Sequence, residues 1–113
     1  MKQQQVRQGD VYLRPTRSRP SDAAKLVIDQ GRVILAYGEV TGHAHQVVAE
    51  TTDAVSTPPC ALFEEPDGSR LLIVDRPCTL RHEEHGPIAL APGAYRVVRQ
   101  REYSPEAVRN VAD

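Results

Sequence analysis

With 113 residues, 40% hydrophobic and 26% charged, the chain has the size and balance of one globular domain, taken as residues 1–113. Its 14 basic and 15 acidic side chains leave a net charge of −1, which excludes a strong overall field for drawing nucleic acid or an anionic membrane. No run approaches the roughly 18 apolar residues needed to cross a bilayer. Met1-Lys2-Gln3-Gln4-Gln5 lacks the apolar core of a signal peptide, so a cytoplasmic, reducing setting is expected.

One Phe and no Trp leave the core to Val, Leu, Ile and Ala, and 9 Pro and 7 Gly favour short strands joined by turns. In chain order, Gly9-Asp10 reads as a turn before a first strand, Val11-Tyr12-Leu13, which Pro15 ends. Residues 15 to 25 read as loop, with one helical turn from Ser21 to Lys25 capped by Ser21. A strand from Arg32 to Tyr37 follows Gly31, then a tight passage between Gly38 and Gly42, then a strand from His43 to Ala49. Thr51 to Pro59 is a polar connection. Ala61-Leu62-Phe63 and Arg70 to Val74 flank Glu65-Pro66-Asp67-Gly68-Ser69, where Asp-Gly between apolar runs predicts a hairpin.

Cys78 to Glu83, Pro87 to Leu90 and Ala94 to Tyr103 are the remaining strands. Ser104-Pro105-Glu106 then sets a capping residue, a first-turn proline and an acid at the positive end of a helix dipole, which predicts a short C-terminal helix ending at Ala112. About eight short strands in succession predict a mainly β fold, a small antiparallel barrel or sandwich. Cys60 and Cys78 do not form a CxxC pair and read as small buried hydrophobes.

The chemistry gathers on histidine. All 4 lie in two tight pairs, His43-Ala-His45 and His82-Glu-Glu-His85. Residues two apart on a strand share a face, about 7 Å apart along the backbone, so His43 and His45 can converge on one ion. Along Cys78-Thr79-Leu80-Arg81-His82 the apolar alternation turns His82 inward. His85 joins it only if the chain turns near Glu84-His85-Gly86-Pro87. Imidazole is the usual ligand for Zn, Fe, Ni and Cu, and a shell of three histidines, with or without one Glu, suits Fe, Mn, Ni or Zn. Glu50, Glu83 and Glu84 are candidate carboxylate ligands or partners of the ligands. The same residues also fit histidine clusters without metal, or acid–base chemistry by metal-free imidazoles.

The stretch Gly38-Glu-Val-Thr-Gly-His43-Ala-His45-Gln-Val-Val-Ala-Glu50 resembles the first cupin motif: a Gly, a five-residue gap, His-x-His, three or four residues, then Glu. Here the first gap is four residues. The resemblance implies that His43, His45 and Glu50 are metal ligands inside a small β-barrel. Gly86 to Pro92 fits the start of the second cupin motif, but Pro92-Gly93 lacks its spacer. Arg96 stands where the last histidine belongs, which leaves His82 or His85 to supply that ligand.

Glu39, like Glu50, is a candidate general base beside the ion, Glu39 being the candidate catalytic residue. Arg96 and Arg99 are candidate contacts for an anionic substrate. Arg99 shares a strand face with Arg101, and Arg96 lies on the other; the alternative is that these charges guard an edge strand against aggregation.

Two functional readings follow. One is a cupin-like metalloprotein that binds one divalent ion (Zn, Fe, Mn or Ni) and acts on a small polar or anionic molecule. The other is a non-catalytic binding or accessory module with a structural metal or none. A nucleic-acid module on the arginine strand is disfavoured by the charge balance and scarce aromatics, and a membrane partner is not expected. Many short strands suit a homodimer that pairs sheet edges.

Overall fold

The computed structural model describes residues 2–29, 31–37, 43–49 and 59–99. Ten strands lie within them: β1 (Val6–Gln8), β2 (Val11–Thr16), β3 (Lys25–Val27), β4 (Val33–Tyr37), β5 (Ala44–Ala49), β6 (Cys60–Glu64), β7 (Arg70–Val74), β8 (Cys78–His82), β9 (His85–Leu90) and β10 (Gly93–Arg99). They form a six-stranded sheet, β1-β2-β10-β7-β6-β3, and a four-stranded sheet, β4-β5-β8-β9. Every pairing between these strands is antiparallel.

The mainly β expectation holds, and the barrel does not. The first sheet ends at β1 and β3 and the second at β4 and β9, with no backbone ladder joining them among the described residues. β1 lies against β9 and β4 against β6, and at the first of these seams the bridge is a side chain. The Gln8 amide donates to Gly86 O at 2.9 Å and Leu80 O at 3.1 Å.

Alternation on both sheets sends one set of side chains into a shared core. Val11, Leu13, Leu62, Leu72, Val74 and Tyr95 meet Val33, Leu35, Val47, Cys78, Leu80 and Leu90 in a single cluster. Each such apolar side chain contributes roughly 1.5–3 kcal/mol when fully buried. Tyr95 is wholly buried and its hydroxyl donates to Ala91 O at 2.6 Å, so its polar end is satisfied. Burial raises its pKa above the ordinary tyrosine value. Cys60 and Cys78 lie buried in the same core with no disulfide between them, as expected of small hydrophobes.

The predicted hairpin is there: β6 and β7 pair from Glu64↔Arg70, and Gly68 takes a positive φ of 90° in the turn between them. Other expectations need correction. The first strand runs through Pro15 to Thr16. β1 pairs only with residues 11 to 13, so one side of β2 is unpaired at Pro15, where a missing N–H costs no ladder bond. Within the expected loop, Lys25 begins β3, and Ser21 to Ala24 forms one hydrogen-bonded turn and no helix. β1 was not expected at all, because Val6-Arg7-Gln8 carries a single apolar residue. The C-terminal helix, Glu39, Glu50 and Arg101 lie outside the described residues. Among those residues no helix is long and apolar enough to cross a membrane.

Candidate metal centre

β5 begins just after His43 and carries His45 inward beside Val47; the two are 3% and 5% exposed. β8 brings Cys78, Leu80 and His82 to its inner face, with Cys78 and Leu80 wholly buried. The chain turns at Glu83-Glu84, earlier than the Gly86-Pro87 pair suggested, so His82 and His85 face each other as cross-strand partners. All four imidazoles therefore meet. Ring centroids are 4.3 Å apart for His45–His82, 4.7 Å for His82–His85, 5.7 Å for His43–His82 and 5.8 Å for His45–His85.

Carboxylates surround the rings. One nitrogen each of His43 and His82 and one oxygen of Glu83 lie within 4.8 Å of one another, a separation that a single ion can span. Glu83 is held in place by the Ala44 N–H, which donates to its Oε1 at 2.9 Å, and this bond lowers its pKa below the usual carboxylate value. Glu84 Oε2 is 3.8 Å from His43 Nδ1. That nitrogen is buried and has no hydrogen-bond partner among the described residues, an arrangement that is costly unless something else occupies its lone pair or proton. His82 Nδ1 accepts the Glu84 N–H at 3.0 Å.

Two further residues belong to this constellation and were not singled out from the sequence. The β1–β2 hairpin turns through Gly9-Asp10, with Gly9 at φ +59°, a conformation suited to glycine in a tight hairpin. The turn delivers Asp10 Oδ1 to 3.3 Å from His45 Nε2. Gln8, 2% exposed, sets its Oε1 2.9 Å from His45 Nδ1. Gly9 itself packs so closely that a Cβ there would stand 2.9 Å from His85 Nε2 and 3.1 Å from His45 Cε1. A signal for Gln8 existed in the alternation: Val6 and Gln8 share the buried face of β1.

Electrostatics favour a neutral His45. Burial lowers its pKa to about 4, helped by the nearby imidazoles of His82 and His85 and opposed by Asp10. Neutral imidazole is the form that ligates a metal. Of the two candidate arginines, Arg99 reaches the cluster, with Nη2 3.5 Å from Asp10 Oδ2. Arg96 lies on the opposite face of β10, as alternation predicts, and its Nη2 donates to Ser18 Oγ at 3.4 Å. The structure thus brings together His43, His45, His82 and His85 with Asp10, Glu83, Glu84 and Arg99, and it leaves Arg96 aside.

No curated protein and no solved structure significantly matches the chain. The family described as "Domain of unknown function (DUF8820)" matches residues 7–100, and the chain belongs to that family.

Proposed function

We propose that this domain binds one divalent metal ion, Zn, Fe, Mn or Ni, through its histidine cluster, in a small cupin-like site that acts on a small polar or anionic molecule. The observation that carries the reading is the convergence of all 4 histidines of the chain, from two pairs far apart in sequence, onto one spot rimmed by carboxylates. Stacked imidazoles with no shared cation gain little from such crowding, since any proton on one ring opposes a proton on the next. The buried, unpartnered Nδ1 of His43 fits the same reading. When bound, the ion would supply Lewis-acid or oxygen-activating chemistry. The chain's own part is to hold the imidazoles in place, that of His45 in its neutral form, and to set Arg99 beside the site as a cation for an anionic group.

The test is metal content by elemental analysis of untagged protein, beside His43→Ala and His82→Ala variants. Near-stoichiometric metal that is lost in both variants is the expected result. A wild-type protein without metal, and without thermal stabilisation by added Fe, Mn, Ni or Zn, would overturn the proposal. The Co(II)-substituted spectrum then separates the two functional readings. A closed tetrahedral shell marks a structural ion in a binding or accessory module, whereas an open position marks a catalytic one.

A further inference from the structure

We infer that Asp10, at the tip of the β1–β2 hairpin, is itself a metal ligand together with His45 Nε2, and that Gln8 is the positioning residue that aims that nitrogen. This deepens the metal-binding reading above and rests on it.

The argument starts at the Gln8 amide. Its nitrogen faces two backbone carbonyls, Leu80 O and Gly86 O, which only accept, so both amide hydrogens are used. The atom facing His45 Nδ1 is therefore the amide oxygen, which only accepts as well. Nδ1 must carry the ring proton, and in the neutral imidazole Nε2 then presents a bare lone pair. Asp10 Oδ1, another acceptor, stands 3.3 Å from that nitrogen. Two acceptors at this distance need a cation between them, either a second ring proton or a metal ion, and a ring only 3% exposed disfavours the charged imidazolium.

A divalent ion fits that gap. Metal–ligand bonds of about 2.0–2.2 Å, at angles between about 90° and 109°, place two donor atoms roughly 2.9–3.5 Å apart. The other oxygen of Asp10 is held by Arg99 Nη2 at 3.5 Å, which leaves Oδ1 to the ion. A ligating histidine commonly donates its second N–H to an outer acceptor, and Gln8 Oε1 fills that place. His82, by contrast, has its Nδ1 lone pair engaged by the Glu84 N–H. The His45–Asp10 pair thus adds to the unpartnered Nδ1 of His43 a second place in the cluster where ligand atoms stand ready for an ion.

The probe is Zn(II), titrated calorimetrically into chelator-stripped full-length protein, with Co(II) absorption as the second readout. Asp10→Asn should weaken Zn(II) binding at least tenfold and shift the Co(II) bands, because a ligand has changed. Gln8→Met should weaken binding about tenfold with the bands in place, because an outer partner has been removed and not a ligand. Circular dichroism establishes that each variant is folded. Asp10 is on a turn and 32% exposed, so Asp10→Asn is expected to fold. Wild-type protein that binds no Zn(II) overturns the metal reading itself. Wild-type binding with Asp10→Asn unchanged in affinity and spectrum overturns only the assignment of Asp10. An unchanged affinity for Gln8→Met overturns only its positioning role.

Discussion

Gln8→Met in the metal-free protein tests how the two sheets are joined. The substitution keeps the length of the side chain and removes its amide. It strips partners from three groups: Leu80 O, Gly86 O and His45 Nδ1–H. Gly86 is exposed, so its carbonyl can turn to water. Leu80 is wholly buried and His45 is 3% exposed, so their polar atoms cannot. Two stranded buried groups, at about 1–3 kcal/mol each, give an expected loss of roughly 2–6 kcal/mol. That is a large part of the roughly 5–15 kcal/mol by which a domain is usually stable. Urea unfolding with chelator present reads the loss as a lower midpoint at unchanged slope. A loss below about 0.5 kcal/mol, the size ordinary for a surface substitution, would refute the reasoning. It would mean that Gln8 is not the strut between β1 and the β8–β9 pair.

Gly9→Ala should destabilise the fold by about 1–2 kcal/mol, because an L side chain is strained at a φ of +59°. The added methyl also meets His85 Nε2 and His45 Cε1, so Zn(II) affinity should fall in the same variant. Equal stability and equal Zn(II) affinity by calorimetry would count against both the turn and its place beside the site. The metal-free protein should also be acid-sensitive through His45. Its folded pKa lies near 4, below the ordinary histidine value of 6.5, so the unfolded chain takes up this proton first. The stabilising contribution is therefore complete above about pH 6.5 and is lost as pH falls toward 4. It amounts to about 3 kcal/mol, from a displacement near 2.5 pH units at about 1.4 kcal/mol each. Chemical denaturation at pH 7 and pH 4.5 reads it, and His45→Phe should flatten the difference. An equal pH dependence in that variant would assign the acid sensitivity elsewhere.

Much of the local structure was legible in the amino-acid order. Arg70 to Val74 is a strand with the expected bounds, because a β-branched and leucine run between a Gly turn and a Pro has little else to become. The Asp67-Gly68 turn needs a positive φ, and the glycine states it. Spacing alone placed His45 on the face of Val47 and set Arg96 and Arg99 on opposite faces of one strand, since alternation is a property of the backbone. The two three-residue strands, β1 and β3, were not legible. A three-residue strand is stabilised by its neighbour more than by its own composition.

The sequence by itself determined a mainly β chain, its best hairpin and two histidine pairs poised to share a face or a turn. Only the tertiary structure decided that the pairs meet, because β5 lies beside β8 in the second sheet. It also decided that Gln8 and Asp10 join them from a strand at the other end of the chain and the other sheet. The physical reason is that strand order is set by which apolar faces pack together, over separations of 37 residues for Gln8 and His45 and 72 for Gln8 and Leu80. Local pattern specifies which way a side chain points from its strand, and the packing of the two sheets specifies what stands opposite it.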